Sequence, residues 1–148
     1  MATIKNVQVE AKLIEKFRIE GNMRHHTVYV DQPEAGGGDN SAPTPLEYTL
    51  LSLAACVITI SQIVAKQQRI QLRHIDVKVE ADIDAEVFMG KGQDNRVGFR
   101  GIKVITEIDA DMSLEEKKAF LETVDQRCPI SDNLKALTPV AYEIKESV

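Results

Sequence analysis

The two cysteines are the residues of this sequence best suited to covalent chemistry. Cys56 lies inside a long apolar segment, and Cys128 follows it by 72 positions, directly before a proline. Two cysteines are too few for a disulfide framework, and their spacing does not match a metal site. A thiolate can attack a peroxide, and a second thiol can close the resulting sulfenic acid to a disulfide. The pair is therefore either a reactive thiol pair or two small packing residues.

Cys56 is carried by residues 42–69, which are predicted to form a long helix. Thr44 and Glu47 occupy the N-cap and N3 positions of a capping box, and Pro45 stands at N1, where proline is favoured. Apolar residues occur on nearly every side of this segment, so we expect the helix to be surrounded by protein. Polar residues interrupt the apolar run, which favours a buried core helix over a membrane span.

Cys128 is predicted to lie at the start of a shorter helix. Ser113 and Glu116 form a second capping box that begins the preceding helix, which should end near Arg127. Pro129 cannot continue that helix but is favoured at the first position of a new one. A helix N-terminus stabilises an anion by about 0.3–1 kcal/mol when exposed. The apolar side chains of the preceding helix that are expected to face the sheet are those of Leu114, Phe120, Leu121 and Val124.

Alternating apolar and polar residues predict six strands, at residues 7–14, 16–20, 24–31, 73–85, 97–108 and 139–144. Gly21-Asn22 is predicted as a turn, residues 32–41 as a mobile connection, and residues 89–96 as a polar hairpin loop. The predicted order is βββ-α-ββ-α-α-β. This order is typical of an α+β fold, with an antiparallel sheet covered by helices on one side. A single domain is expected over residues 1–148.

Composition excludes some classes of partner. The 148 residues carry a net charge of -5, and the basic residues do not cluster, so nucleic acid is not expected as a partner. The N-terminal residues alternate in polarity and have no apolar core of a secretory signal. We therefore expect a cytoplasmic protein without a membrane partner.

Three sequence features resemble the OsmC/Ohr superfamily of osmotically inducible and organic hydroperoxide resistance proteins. These are the segment GGGDNSAPTPLEYTLLSLAAC, the later CPIS and the terminal VAYEI, which follow the family order and look closest to its less characterised OsmC-like branch. The resemblance implies an intertwined homodimer with two long central helices inside sheets from both chains. It also implies a thiol peroxidase that reduces organic hydroperoxides in oxidative stress defence. Cys56 matches the peroxidatic cysteine and Cys128 the resolving cysteine. A dithiol, possibly lipoylated, serves the family as reductant, and no cofactor is expected.

The family places an arginine of the N-terminal strands beside the peroxidatic cysteine. A cation is also required on physical grounds, because burial alone raises the pKa of a thiol. Arg24, expected on the third strand, is our candidate, with Arg18, His25 and His26 as alternatives. The two histidines are adjacent, so on a strand they would point to opposite faces, which argues against a two-histidine metal site. No metal is expected.

In the family, the helix proline lies eleven residues before the cysteine, and a glutamate directly follows that proline. Pro45 keeps the spacing to Cys56, so Leu46 occupies the glutamate position and Glu47 is displaced by one residue. One residue along a helix is a rotation of about 100°. Glu47 is therefore a candidate site residue that the helix cap alone also explains.

Two other functions compete with peroxide reduction. The first is a dimeric small-molecule-binding protein of the same fold, whose cysteines serve only as redox sensors. The second, weaker, is an acyl-thioester enzyme, whose chemistry would not require the second cysteine. Peroxide consumption with a dithiol separates the enzyme from the binding protein.

Overall fold

The computed structural model describes residues 1–92 and 96–146. Three residues of the predicted hairpin loop at 89–96 lie outside that part of the chain. The chain divides into two compact units, Met1–Leu50 and Leu51–Val148. The long helix α1, Pro45–Gln67, begins in the first unit and continues in the second. One domain over the whole chain stays a prediction.

The first unit contains the predicted antiparallel meander. Its strands are β1 Glu10–Glu15, β2 Arg18–Met23 and β3 His26–Val30, paired in the order β1-β2-β3. The predicted Gly21-Asn22 turn is wrong, because both residues lie inside β2, where Gly21 pairs with Val28.

The two turns of the meander lie elsewhere, at positions 16–17 and 24–25. Each contains one residue in the left-handed region, Lys16 at φ 47° and Arg24 at φ 57°. Both are non-glycine residues that the usual turn signals do not mark. The placement of Arg24 on the third strand is therefore wrong, since it lies in the turn before β3.

The segment after β3 is folded around the buried carboxylate of Asp31, which is only 1% exposed. Its Oδ1 accepts from the N–H of Gln32 at 2.7 Å, and its Oδ2 accepts from the N–H and hydroxyl of Ser41 at 3.0 and 2.5 Å. These hydrogen bonds, led by the Ser41 hydroxyl, lower the pKa of Asp31 to about 2. A Cβ on Gly38 would lie 2.7 Å from Asp31 Oδ1, so glycine is required there. The segment is thus an organised loop, and its prediction as a mobile connection is wrong.

The second unit contains a hairpin and three further helices. The hairpin strands are β4 His74–Asp82 and β5 Gly101–Asp109, and the helices are α2 Ala85–Phe88, α3 Leu114–Arg127 and α4 Pro129–Lys135. The predicted hairpin is confirmed, with Ile75 opposite Ile108. The short α2 was not predicted, although Asp84 caps it by accepting from two backbone N–H groups.

The core of the second unit lies between the inner face of the hairpin, α1 and α3. Its buried apolar residues are Leu53, Val57, Val64, Ala65, Ile75, Ile108, Ala110, Phe120, Val124 and Cys128. The opposite side of α1 leaves Leu51 and Ile63 exposed, so one chain alone does not surround the helix, and its complete cover by protein stays a prediction. By length and composition alone α1 could cross a membrane, a test that core helices of soluble proteins also pass.

Two further expectations are wrong. Residues 139–144 form no strand, and Tyr142 and Ile144 are 94% and 91% exposed, because no strand within the described residues pairs with them. Leu114 of α3 is 67% exposed, because it lies in the first turn, before the helix reaches the core. The observed order is therefore βββ-α-β-α-β-α-α.

Candidate active site

Cys128 lies at the junction of α3 and α4 and is 1% exposed. It is the N-cap of α4, with Pro129 at the first helical position, as predicted. Its backbone N–H donates to the carbonyl of Asp125 at 3.2 Å, and its Sγ accepts from the backbone N–H of Ser131 at 3.4 Å. The sulfur is thus held in one position by the start of a helix.

Cys56 lies in the middle of α1 and is half-buried, whereas Cys128 is buried. Burial is the main cause that raises the pKa of the Cys56 thiol. The nearby Cys128 side chain raises this pKa further, and the backbone of Ile130 lowers it. The two free thiols are therefore neighbours, brought together from α1 and the start of α4.

The first turn of α4 acts on both cysteines through its backbone. The N–H of Ser131 donates to Cys128 Sγ, and the backbone of Ile130 lowers the pKa of Cys56. Donors of this kind stabilise sulfur anions, and neighbouring thiols at such a contact can be oxidised to a disulfide. This arrangement follows from the CPIS motif, whose proline begins the helix and leaves the next two amides free.

The second unit has an apolar groove of about 660 Å³, and neither cysteine is among the residues that line it. Its apolar lining comes from α1, β5 and α3, and includes Leu53, Val57, Ile102, Val104, Leu121 and Val124. Arg96 and Arg100 also line it, as does Ser131, whose amide contacts Cys128. The groove has the volume of a small-molecule site.

Glu47 forms the predicted capping box at the start of α1. Its Oε1 accepts from the backbone N–H of Thr44 at 3.0 Å, and its own N–H donates to the Thr44 hydroxyl at 3.2 Å. The Thr44 backbone N–H is also the main cause that lowers the pKa of Glu47. The capping role of Glu47 is confirmed, and its role in chemistry stays a prediction.

The N-terminal unit presents two very different arginines. Arg24 is exposed in the β2–β3 turn. Arg18, at the start of β2, lies 4.5 Å from the centre of the Tyr29 ring and donates to the Ser41 hydroxyl at 3.0 Å. Arg18 is thus the more firmly held cation.

The family model for OsmC-like proteins matches residues 37–143. The chain belongs to the OsmC-like family. This confirms the family resemblance of the sequence. No curated protein matches it.

Solved structures agree with the OsmC-like fold. An OsmC-like protein from Mycoplasma pneumoniae is 23% identical, with a TM-score of 0.79 and 91% of each chain covered. An organic hydroperoxide resistance protein OsmC from Legionella pneumophila is 19% identical, with a TM-score of 0.69, covering 90% of this chain and 92% of its own. A Vibrio cholerae putative organic hydroperoxide resistance protein, which holds captopril in one active site, is 19% identical, with a TM-score of 0.67 and coverages of 93% and 89%. At these identities the likeness shows the α+β fold.

The histidines of this OsmC-like protein lie differently from the prediction. His25 is in the turn and His26 starts β3, so their rings meet with centroids 4.0 Å apart instead of pointing to opposite faces. Within residues 1–92 and 96–146, no group of three or more His, Cys, Asp or Glu side chains could hold a metal ion.

Three side chains near Cys128 were missed by sequence reasoning. Asp125 on α3 accepts from the Ser131 hydroxyl at 2.5 Å and pairs with the ammonium of Lys135. Lys135 and Ser131, in that order, lower the pKa of the Asp125 carboxyl. The signal in the sequence was a carboxylate three residues before the CPIS cysteine and a lysine seven residues after it. These two side chains meet only because the chain bends between two helices.

Proposed function

We propose that the protein is a thiol-dependent peroxidase that reduces organic hydroperoxides and contributes to antioxidant defence in the cytoplasm. The observation that carries the proposal is the contact between two free thiols, one accessible and one buried. Family relatives from Legionella and Vibrio are described as organic hydroperoxide resistance proteins, which agrees with it.

The proposed cycle uses the two cysteines in sequence. The Cys56 thiolate attacks the outer oxygen of the hydroperoxide, forming an S–O bond and breaking the O–O bond, and the released alkoxide takes up a proton to become an alcohol. The Cys128 thiol then attacks the Cys56 sulfenic acid, forming the disulfide and releasing water. A dithiol, possibly of the lipoyl type, reduces the disulfide and is itself oxidised to a disulfide. No other cofactor enters the cycle.

Exposure favours Cys56 as the attacking thiol and Cys128 as the resolving thiol. A substituted hydroperoxide must bring its O–O bond to the sulfur, and Cys128 is buried at 1% exposure while Cys56 is half-buried. The apolar groove, which Leu53 and Val57 line from the same helix as Cys56, would hold the organic part of the substrate. Its apolar lining then favours organic hydroperoxides over hydrogen peroxide.

A cation is needed for the first step, because the pKa of the Cys56 thiol is raised. No arginine or lysine of the described residues is among the causes of that pKa shift. We propose that an arginine of the N-terminal unit takes this role, as the family resemblance implies. Arg24 is the candidate from the sequence, and Arg18, whose side chain is held by Tyr29 and Ser41, is the alternative.

A homodimer is part of the proposal. Apolar side chains are exposed at both ends of the chain, including Ile4, Val7, Val140, Tyr142 and Ile144, and on α1. A second copy would cover this surface, with an interface above the roughly 2,000 Å² of permanent assemblies. Light scattering at low concentration tests it, and a folded, fully active monomer would contradict it.

The groove also favours a second candidate, a small-molecule-binding protein whose cysteines respond to oxidants without turnover. A thiol with a raised pKa reacts slowly, and an apolar groove of about 660 Å³ suits ligand binding. This protein would bind an apolar compound tightly but consume no peroxide.

The deciding experiment is peroxide consumption with a panel of dithiols, including dihydrolipoamide. Hydrogen peroxide is compared with cumene hydroperoxide, a bulky organic hydroperoxide, at equal concentrations. The proposal expects turnover that requires both a dithiol and Cys56, and a higher rate with the organic substrate. Absence of turnover with every dithiol would contradict the peroxidase and favour the binding protein.

A further inference from the structure

The helix that carries Cys128 is fastened by the group Asp125, Ser131 and Lys135, here called the Asp125 clamp. Asp125 Oδ1 accepts from the Ser131 hydroxyl at 2.5 Å, and its Oδ2 pairs with the Lys135 ammonium. The backbone N–H of Ser131 donates to Cys128 Sγ at 3.4 Å. The carboxylate of α3 is therefore linked to the resolving thiol through a single residue.

The clamp acts on the segment whose backbone N–H donates to the Cys128 sulfur. Ser131 is 6% exposed, and a buried hydroxyl without a partner would cost free energy, so the Asp125 carboxylate fixes where this residue can lie. Holding residue 131 therefore holds the backbone N–H that donates to the Cys128 sulfur.

The ion pair and the hydrogen bond of the clamp should contribute unequally. The side chains of Lys135 and Asp125 are 65% and 47% exposed, and exposed ion pairs contribute little. The hydroxyl of Ser131 is in the buried part of the clamp. The hydrogen bond from Ser131 to Asp125 is thus the part expected to position Cys128.

We propose that Asp125, acting through Ser131, is a positioning residue that holds Cys128 where it can form a disulfide with Cys56. In the peroxide cycle, and so resting on the proposed function, the clamp serves the second step. There the Cys128 sulfur displaces hydroxide from the Cys56 sulfenic acid, forming the S–S bond while the S–O bond breaks. The first step, attack of Cys56 on peroxide, does not need the clamp.

The test measures disulfide closure without peroxide. The full-length protein is equilibrated with glutathione and glutathione disulfide, so that the protein disulfide plus two glutathione molecules exchange with the dithiol plus glutathione disulfide. The ratio of the two protein forms, read by alkylation and mass spectrometry, gives the effective concentration of one thiol at the other. Peptides carrying each cysteine confirm that the disulfide joins Cys56 and Cys128.

The variants separate the hydrogen bond from the charge. Ser131→Ala and Asp125→Ala should lower the effective concentration at least tenfold, because the turn before residue 131 is released. Asp125→Asn keeps an acceptor oxygen for the Ser131 hydroxyl and should remain within threefold of wild type. Glu115→Gln is the matched control, since Glu115 is an acid of the same helix whose exposed pair with Lys118 lies outside the clamp. It should leave the equilibrium unchanged.

Two measurements distinguish a positioning role from a general loss of stability. These are the melting temperature of each reduced variant and the separate rates of Cys56 oxidation and of disulfide closure. A positioning role leaves the rate of Cys56 oxidation unchanged and slows only disulfide closure. If Asp125→Ala does not fold, the pair Ser131→Ala and Asp125→Asn decides. A tenfold difference between these two supports the clamp, and equal values overturn it.

The result is independent of peroxide turnover. If the wild-type protein consumes no hydroperoxide but its glutathione equilibrium depends on Ser131, the proposed function is contradicted and the clamp is supported. If the protein consumes hydroperoxide but the glutathione equilibrium is the same in wild type, Ser131→Ala and Asp125→Ala, the clamp is contradicted and the proposed function is supported.

Discussion

Cys56 and Cys128 are neighbours that differ in burial and in the groups that hold them. Cys128 is buried at a helix start, with one amide donor on its sulfur and a carboxylate clamp behind that donor. Cys56 is half-buried on a continuous helix, and its pKa is raised mainly by burial. Cys128 is thus fixed but inaccessible, and Cys56 is accessible but not activated within its own unit.

The two helices contribute differently to the site. The start of α4 fixes the position of Cys128, through the Ser131 amide and the hydrogen bond from the Ser131 hydroxyl to Asp125. The middle of α1 supplies access, because its backbone groups are already paired within the helix and none is free for the thiol. Groups that lower the pKa of Cys56 must then come from outside α1, as the backbone of Ile130 does.

Serine substitutions test the assignment of roles and carry the largest expected effect. Cys56→Ser should lower the peroxide rate more than about a thousandfold, the scale of losing a nucleophile. Cys128→Ser should leave the first oxidation intact and accumulate over-oxidised Cys56, because no second thiol intercepts the sulfenic acid. Mass spectrometry of both cysteine peptides after graded peroxide measures these outcomes.

The reverse pattern would exchange the roles of the thiols. Rapid oxidation of Cys128 in the Cys56→Ser variant would show that burial does not protect it. If wild-type Cys56 stays unmodified while methionines are oxidised, Cys56 is a packing residue. The two thiols would then have no separate roles in peroxide reduction.

Removing the proposed cation should have the next largest effect. Arg18→Ala should lower the peroxide rate about a hundredfold, the scale of a lost electrostatic site group. Arg24→Ala, from an exposed turn of the same sheet, serves as the matched control and should change the rate less than threefold. Stopped-flow measurement of Cys56 oxidation compares them. A large loss in Arg24→Ala alone would restore the sequence-based candidate.

Local signals predicted the two helix starts and the position of Cys128 well. Both capping boxes form as the sequence indicates, with Thr44 and Glu47 on α1 and Ser113 and Glu116 on α3. Pro129 begins α4. These features depend on contacts within a few residues of the chain, so a single sequence contains the information that determines them.

Features that depend on distant contacts were predicted poorly. Gly21 was taken for a turn because glycine marks turns, yet strand pairing with Val28 decided its place. The glycine triplet was taken for mobility, yet Gly38 closes a loop on buried Asp31. The clamp between Asp125 and Ser131 joins two helices, and no local pattern predicts the bend between them.

The pH dependence of Cys56 tests whether a cation acts on it. Thiolate is the reactive form, and a raised pKa means that the thiolate fraction at neutral pH is small and rises about tenfold per pH unit. With the raised pKa of the single chain, iodoacetamide should react with reduced wild-type Cys56 about ten times faster at pH 8 than at pH 7. A rise of less than threefold in wild type, restored to about tenfold in Arg18→Ala, would show that Arg18 acts on Cys56. A tenfold rise in both proteins would show that it does not.

Glu47→Gln should have the smallest effect on the chemistry of Cys56. Leu46 occupies the position where the family resemblance expects a glutamate, and Glu47 is engaged in the cap through two hydrogen bonds with Thr44. Glutamine can still fill the N3 role of a capping box, although it lacks the charge that favours a helix start. We expect a loss of stability of at most about 1 kcal/mol and a peroxide rate within threefold of wild type. A protein without the family's glutamate to hold its arginine should also be a slow peroxidase.

The second capping box provides the control for Glu47. Glu116→Gln removes the same charge at the same N3 position of α3, where Ser113 replaces Thr44. Because both glutamates serve the same cap chemistry, the two variants should lose similar stability in chemical denaturation and keep similar rates. A loss of about a hundredfold in the rate of Glu47→Gln alone, with stability matching that of Glu116→Gln, would show that Glu47 acts on the site group as well as on the helix. Activation of Cys56 would then depend on a carboxylate at the start of its own helix, and the contrast between a positioned Cys128 and an unactivated Cys56 would no longer hold.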